Sequence, residues 1–179
     1  MQFDLKSQVE MPRPDFVEPR PVNYREARTR LEHYVKQGPL RLNILRKVLE
    51  ENGISLGNSN EDVFEVSEFL LENVKADSVS GEPNSHWIEF IWNFGYFIGN
   101  IMIDRDPRSK LRWGVENVAI RGSLPKYVIC IRGYPSSPGS FHPDNHLLGL
   151  ARLAIREGKA EPVRVVGEIN LSTMLCGGL

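Results

Sequence analysis

The chain has 179 residues, of which 41% are hydrophobic and 25% charged, and its formal net charge is −1. This is the composition of an ordinary globular protein, and the length suits a single domain with a substantial core. A net charge near zero argues against a partner recognised by charge alone, so neither nucleic acid nor a membrane surface is expected.

Residues 1–22 are predicted to form an extended, proline-rich arm. Phe3 to Val9 favours a short strand, and the four prolines that follow suit extended or polyproline geometry (Pro12, Pro14, Pro19 and Pro21). The opening MQFDLKSQVE has no apolar core of the signal-peptide type, which makes the cytoplasm the expected compartment.

Two helices are predicted after the arm. Asn23 and Glu26 form a capping signal for the first helix, which should end at Gly38. The second should begin at Pro39 and stop at Asn52-Gly53. Because the link between them is very short, an antiparallel hairpin of the two is expected.

Ser59 and Asp62 predict the start of a third helix, with one apolar side and one acidic side. The acidic side is simply a solvated face, or it is a docking surface for a charged partner. In the second interpretation the candidate partner-binding residues are Glu61, Asp62, Glu65, Glu68 and Glu72.

The almost wholly apolar run from His86 to Ile103 predicts a central helix that is enclosed on all sides. A polar stripe runs along it at helical spacing; it consists of Glu89, Asn93, Tyr96 and Asn100. A buried polar group is costly unless it is hydrogen-bonded. The stripe is therefore a satisfied internal network, a helix edge that touches water, or a seam that faces a ligand or partner.

Gly95 and Gly99 share another face of this helix, where we expect the close approach of another backbone. The run is about 18 residues long, near the lower limit for crossing a bilayer, and it contains Glu89, Asn93 and Asn100. A core helix is therefore predicted, and no membrane partner.

Two strands and a helix are predicted to follow. Leu111, Trp113 and Val115 alternate with polar or small residues, and Lys126 to Arg132 is apolar on both faces. The last helix should begin after His142-Pro143-Asp144 and end at Gly158. Val163, Val165 and Ile169 to Leu171 predict one or two terminal strands.

The two cysteines are not expected to form a disulfide, since Cys130 lies in a buried strand and Cys176 in the terminal Cys-Gly-Gly-Leu. This fits a reducing compartment. The terminus matches the prenylation pattern only formally, because its two glycines are not aliphatic.

The best catalytic candidates are His142, Asp144 and His146, which are the right residue types for a metal site. Pro143 favours another role, because it leaves His142 outside the helix and places Asp144 near the positive helix end. Cys130 as a nucleophile would need exposure and a neighbouring base. In the leading interpretation we therefore expect no catalytic residue, no metal and no cofactor.

The sequence Gly95-Tyr96-Phe97-Ile98-Gly99-Asn100, followed by Leu111-Arg112-Trp113, resembles a pattern G-x-Y-x-G-E with a distal Trp. This pattern is found in small bacterial proteins of unknown or immunity-type function, and the resemblance covers roughly residues 40–160. It implies a helical N-terminal half, a glycine-containing helix and then strands. Phe97 stands where Tyr is usual and Asn100 where Glu is usual, so no role that needs that carboxylate carries over.

We therefore predict an α+β fold with a helical N-terminal half, a buried central helix, and a small, mostly antiparallel sheet with one covering helix. The expected organisation is an arm over 1–22, a single domain over 23–175 and a flexible tail over 176–179. The leading functional hypothesis is a non-catalytic protein-binding module, by resemblance an immunity protein that neutralises a bacterial toxin. The acidic side of the third helix would suit a basic toxin as that partner. The alternative is a small metal-dependent hydrolase that uses His142, Asp144 and His146.

Overall fold

The computed structural model describes residues 23–108, 110–119, 123–134, 140–158, 161–167 and 169–170. The predicted arm over 1–22, the tail over 176–179 and Cys176 lie outside these ranges. In chain order the elements are α1 (Tyr24–Lys36), α2 (Gly38–Glu51), α3 (Asn60–Asn73), α4 (Ser85–Asp104), β1 (Arg112–Asn117), β2 (Tyr127–Arg132) and α5 (Pro143–Glu157). Residues 163–167 and 169–170 are also helical.

The α+β fold class is confirmed, with helices in the N-terminal half and a small antiparallel sheet after them. β1 and β2 pair so that Trp113 lies opposite Ile131 and Gly114 opposite Cys130. α1 packs on this sheet, where Ala27 and Leu31 contact the buried side chain of Val115.

The central helix is confirmed as α4, which is capped by the Asn84 side chain and packs mainly against α2 and α5. Six of its large apolar side chains are at most 2% exposed, while Ile88, Trp92 and Ile103 are partly buried; the six are Trp87, Phe90, Ile91, Phe94, Ile98 and Met102. Apolar side chains all round a helix require protein on every side, and α4 has this environment. No helix among the described residues has the length and apolarity needed to cross a membrane.

The predicted caps are also confirmed. Asn23 accepts a hydrogen bond from the Glu26 backbone N–H at 2.8 Å. Ser59 and Asp62 form a reciprocal capping box at the start of α3. Gly158 ends α5 with a φ of 64°, a left-handed conformation that favours glycine.

Two expectations about neighbouring elements are wrong. α1 and α2 do not form an antiparallel hairpin, because α1 packs chiefly on the sheet while α2 packs on α4. The predicted terminal strands are helical where the structure describes them. Val165 and Ile169 are four residues apart and are each 1% exposed in the core. This is the spacing of a helix face, and it outweighs the strand preference of the valines in this stretch.

Side chains fill most of the space that the two helix glycines leave. A Cβ on Gly95 would lie 1.9 Å from Oδ1 of Asp144, and one on Gly99 would lie 2.3 Å from the Trp113 ring. At Gly95 the backbone nitrogen of Asp144 would also lie 3.1 Å from the added Cβ, whereas the three nearest atoms at Gly99 all belong to side chains. Gly95 therefore makes room mainly for the carboxylate of Asp144, with its backbone nitrogen also close, and Gly99 makes room for the indole of Trp113.

Candidate metal centre

The register of the sheet brings Cys130 and Glu116 to one face. Gly114 lies opposite Cys130 and Glu116 opposite Val128, so the two pairs are adjacent on the same side of a pleated ladder. Val115 points to the other side, where α1 packs. Cys130 and Glu116 thus lie on the face that α1 does not cover.

A short segment before α5 adds two more polar side chains to this face. Ile131 and Phe141 exchange two backbone hydrogen bonds, of 2.8 and 3.0 Å, on the free edge of β2. The side chains before and after Phe141 point to the opposite face from Phe141 itself. Ser140 and His142 are therefore placed beside Cys130 and Glu116.

The side chains converge closely. Nε2 of His142 lies 3.0 Å from Oε2 of Glu116 and 3.1 Å from the Ser140 hydroxyl oxygen. The Ser140 hydroxyl also donates to the same Glu116 oxygen. One ligand atom each from Glu116, Cys130 and His142 lies within 4.8 Å of the other two.

The site is buried on the sulfur side and open on the carboxylate side. Cys130 is completely buried, and burial raises the pKa of its thiol to about 11, with a smaller upward effect from the negative charge of Glu116. Its S–H group donates to the Gly114 carbonyl oxygen at 3.6 Å. The side chains of Glu116 and His142 remain 30% and 22% exposed, so solvent reaches the site from their side.

A thiolate, an imidazole nitrogen and a carboxylate oxygen form a ligand set that suits Zn²⁺. Magnesium and calcium prefer sites built from oxygen alone. Three protein ligands leave a fourth tetrahedral position for water, which is the arrangement of catalytic rather than structural zinc sites. A bound zinc ion would also displace the proton of Cys130, because coordinated thiols are deprotonated.

The sequence alternative of His142, Asp144 and His146 is not brought together as one site. In the described part of the chain, the one group of three metal-ligating side chains is Glu116, Cys130 and His142. His146 packs beside Phe141, with ring centroids 5.6 Å apart. Asp144 faces Gly95 on α4. Only His142 is shared by the two sets.

The polar stripe of α4 forms an internal network along part of its length. Asn93 is buried and accepts a hydrogen bond from Arg41 at 3.3 Å. Asn100 accepts from the Trp113 indole N–H at 3.0 Å, and Tyr96 stacks on the same indole with ring planes 2° apart. Glu89, nearer the start of the helix, is half-buried.

The candidate partner-binding residues on α3 fall into two groups. Glu61, Glu65 and Glu72 are exposed and Glu68 is half-buried. Asp62 instead belongs to the capping box, where its carboxylate accepts from the Ser59 backbone N–H at 2.9 Å. The hydrogen bonds from Ser59 lower the pKa of Asp62.

Glu116 and Ser140 were not singled out from the sequence. A signal was present, since pairing the two predicted strands through the apolar side chains of both would have placed Glu116 and Cys130 on one face. If residues 140–142 are extended, Phe141 points to one face and Ser140 and His142 point to the other. This alternation would place Ser140 and His142 on the face of Glu116 and Cys130.

No family model matches this chain, and no curated protein or solved structure is significantly similar to it.

Proposed function

We propose that this protein binds a zinc ion through Glu116, Cys130 and His142. The observation that carries the proposal is the convergence of these three ligand atoms within 4.8 Å on one face of the sheet. The first two come from paired strands and the third from the residue before α5, so three separate parts of the backbone hold the set in place.

Hydrolysis is the reaction that such a site supports best. Zinc with three protein ligands lowers the pKa of a bound water to about 7, which supplies a hydroxide nucleophile at neutral pH. The Ser140 hydroxyl already hydrogen-bonds Glu116 and His142. It is therefore placed to orient a water in the open position. The metal-dependent hydrolase hypothesis is retained with this ligand set.

The test is the metal content of protein purified without a histidine tag and dialysed against zinc-containing, then metal-free, buffer. We expect about one zinc per chain in the wild type. Cys130→Ser and His142→Gln should each lower zinc affinity at least tenfold. Zinc-dependent hydrolysis of an activated ester should be lost in the same variants, with zinc added at concentrations that saturate the wild type.

Two matched variants control for the loss of a thiol and of an imidazole. Cys176→Ser removes the other cysteine of the chain, and His146→Gln removes a histidine on the body of α5. Both should keep wild-type zinc content. Equal loss of zinc in the controls, or no stoichiometric zinc in the wild type, would refute the proposed site. Zinc binding without hydrolysis would restrict the proposal to binding.

Protein binding through the acidic side of α3 is a second candidate, favoured by the exposure of Phe64. This phenylalanine is 37% exposed and shares a face of α3 with Glu61 and Glu68, which lie three residues before and four residues after it, while Glu65 follows it in sequence. An aromatic anchor surrounded by charged residues is common in protein interfaces. By the resemblance described above, the protein would be an immunity protein that neutralises a bacterial toxin, and the acidic side of α3 would suit a basic toxin.

Affinity capture from the native host, with the whole chain as bait, tests this candidate. We expect one specific basic protein to be retained at low salt and released as salt is raised. Phe64→Ala and Glu65→Lys should abolish capture, whereas Val79→Ala should not, since Val79 is 93% exposed and lies in the loop after α3. Retention that is indifferent to the α3 variants would rule this surface out.

A further inference from the structure

A groove of about 860 Å³ lies between α5 and the helical residues 163–167. Its lining includes Asn145, Gly149, Arg152, Arg156, Arg164 and Gly167. The first four recur at i, i+4, i+7 and i+11 and so form one stripe along α5. None of the candidate metal ligands Glu116, Cys130 and His142 is among the residues that line the groove.

Three guanidinium groups converge on this groove from two helical segments. Each has a glutamate partner: Arg152 pairs with Glu82 at 2.5 Å, Arg156 with Glu157 at 3.3 Å, and Arg164 with Glu161. The arginine side chains stay 51%, 73% and 53% exposed. Exposed pairs of this kind contribute at most about 1 kcal/mol. A stronger anion in the groove can therefore replace the glutamates as the partner.

None of these three glutamates is among the groove-lining residues in the described ranges, whereas all three arginines are. Among the described residues, the lining therefore contributes three guanidinium groups and no carboxylate, while the three glutamates that pair with them lie outside the lining. Guanidinium groups bind phosphate oxygens through two parallel hydrogen bonds, and several such groups in one groove suit a ligand with several phosphates.

The two glycines of the groove have no packing reason to be glycine. A Cβ on Gly149 or Gly167 would meet no atom within 4 Å, and neither residue has a positive φ. Gly149 lies in the middle of α5, where glycine costs about 1 kcal/mol relative to alanine. In α4 the glycines make room for neighbouring side chains. At Gly149 and Gly167, the space that a side chain would occupy belongs to the groove.

We propose that this groove binds a small molecule carrying two or more phosphate groups, of about nucleotide size. The volume falls within the range of about 300–1,000 Å³ that is usual for small-molecule sites. The arginines supply the phosphate contacts, and the bare glycine positions let the ligand lie against the helix backbone. This proposal goes beyond the zinc chemistry and does not depend on it.

The experiment is isothermal titration calorimetry of the full chain with sodium tripolyphosphate in metal-free buffer. We expect one site with a Kd below about 1 mM that weakens as salt is raised. Arg156→Gln and Arg164→Gln should each weaken binding about tenfold. Arg46→Gln, on the exposed side of α2, is the matched control and should leave the Kd unchanged.

A pair of substitutions at one position separates the groove from the fold. Gly149→Ala should bind tripolyphosphate as the wild type does, while Gly149→Leu should fill the groove and abolish binding. Gly149→Ala should melt no lower than the wild type, because no atom lies within 4 Å of the added Cβ. The melting temperature of Gly149→Leu shows whether that variant is folded, and loss of binding counts only when it is.

Three results would overturn the proposal. They are the absence of binding at millimolar tripolyphosphate, equal weakening by Arg46→Gln, and unchanged binding by Gly149→Leu. A 20-nucleotide single strand that binds more tightly through the same arginines would assign the groove to nucleic acid and likewise refute the small-molecule ligand.

Discussion

The fold encloses the carboxyl group of Asp144 in an environment that disfavours its charged form. The residue as a whole is half-buried, but its Oδ1 atom is enclosed against Gly95 and has no hydrogen-bond partner among the described residues. Burial raises its pKa to about 7, while the positive charge of Arg41 acts in the opposite direction. An unfolded aspartate ionises near pH 4. Between about pH 4 and pH 7 the folded protein therefore holds a proton that the unfolded chain has released.

The free energy of unfolding should accordingly fall as pH rises from about 4 to 7. Asp144→Asn keeps the shape and removes the charge, so the free energy of unfolding of the variant should rise relative to that of the wild type across this window, by about 4 kcal/mol in all for a pKa raised from near 4 to about 7. Urea unfolding at half-unit pH steps measures the difference. Asp104→Asn, at the exposed end of α4, controls for the loss of one negative charge. A difference between wild type and Asp144→Asn that is constant with pH would contradict this assignment.

Gly99 and Gly149 are both helix glycines, but an added Cβ would meet close neighbours at Gly99 and none at Gly149. A Cβ on Gly99 would lie 2.3 Å from the Trp113 ring, which Tyr96 and Asn100 hold in place, while a Cβ on Gly149 meets nothing. Gly99→Ala should destabilise the protein by about 1–3 kcal/mol despite its better helix propensity. Gly149→Ala should stabilise it by up to about 1 kcal/mol. Urea denaturation followed by circular dichroism measures both, and the same sign for both would refute the packing argument.

At the scale of elements, α3 depends on its first turn. The Asp62 N–H donates to the Ser59 hydroxyl at 3.1 Å, and the Asp62 carboxylate accepts from the Ser59 N–H. Ser59→Ala should lower the free energy of unfolding by about 1 kcal/mol, since it leaves a helix N–H without its cap. Ser55→Ala, at an exposed position before the helix, is the control and should have little effect. Thermal unfolding measures the effect. Equal melting temperatures for Ser59→Ala and Ser55→Ala would argue against a stabilising capping box.

The elements that could be predicted from sequence are those with a local signal. The cap residues Asn23, Ser59 and His142 directly precede α1, α3 and α5. The helix α4 can be predicted from its continuous apolar composition alone. Residues 163–167 and 169–170 are helical, whereas the sequence predicts strands there because its valines mimic the alternation of a strand. Only packing against the core reveals that Val165 and Ile169 form one helical face.

The candidate metal centre had no such local signal. Glu116, Cys130 and His142 are 14 and 12 residues apart along the chain, and they meet only through strand register and the single bridge between Ile131 and Phe141. A shift of one residue in that register would turn Glu116 to the other face. The sequence therefore indicates His142 as a metal ligand by its residue type. The other two ligands, Glu116 and Cys130, become evident only in the folded structure.

At the scale of the whole molecule, the proposed zinc site would join β1, β2 and the start of α5, which no disulfide links among the described residues. A ligand that binds only the folded state stabilises it by mass action, by about 2.7 kcal/mol at a free concentration one hundred times its Kd. For a chain of this size that corresponds to a rise in melting temperature of roughly 5–10 °C. We expect this rise when zinc is added, and its reversal by a chelator. Zinc should not change the melting temperature of His142→Gln. The control His146→Gln should show the same rise as the wild type. An equal rise in His142→Gln would mean that the metal binds elsewhere.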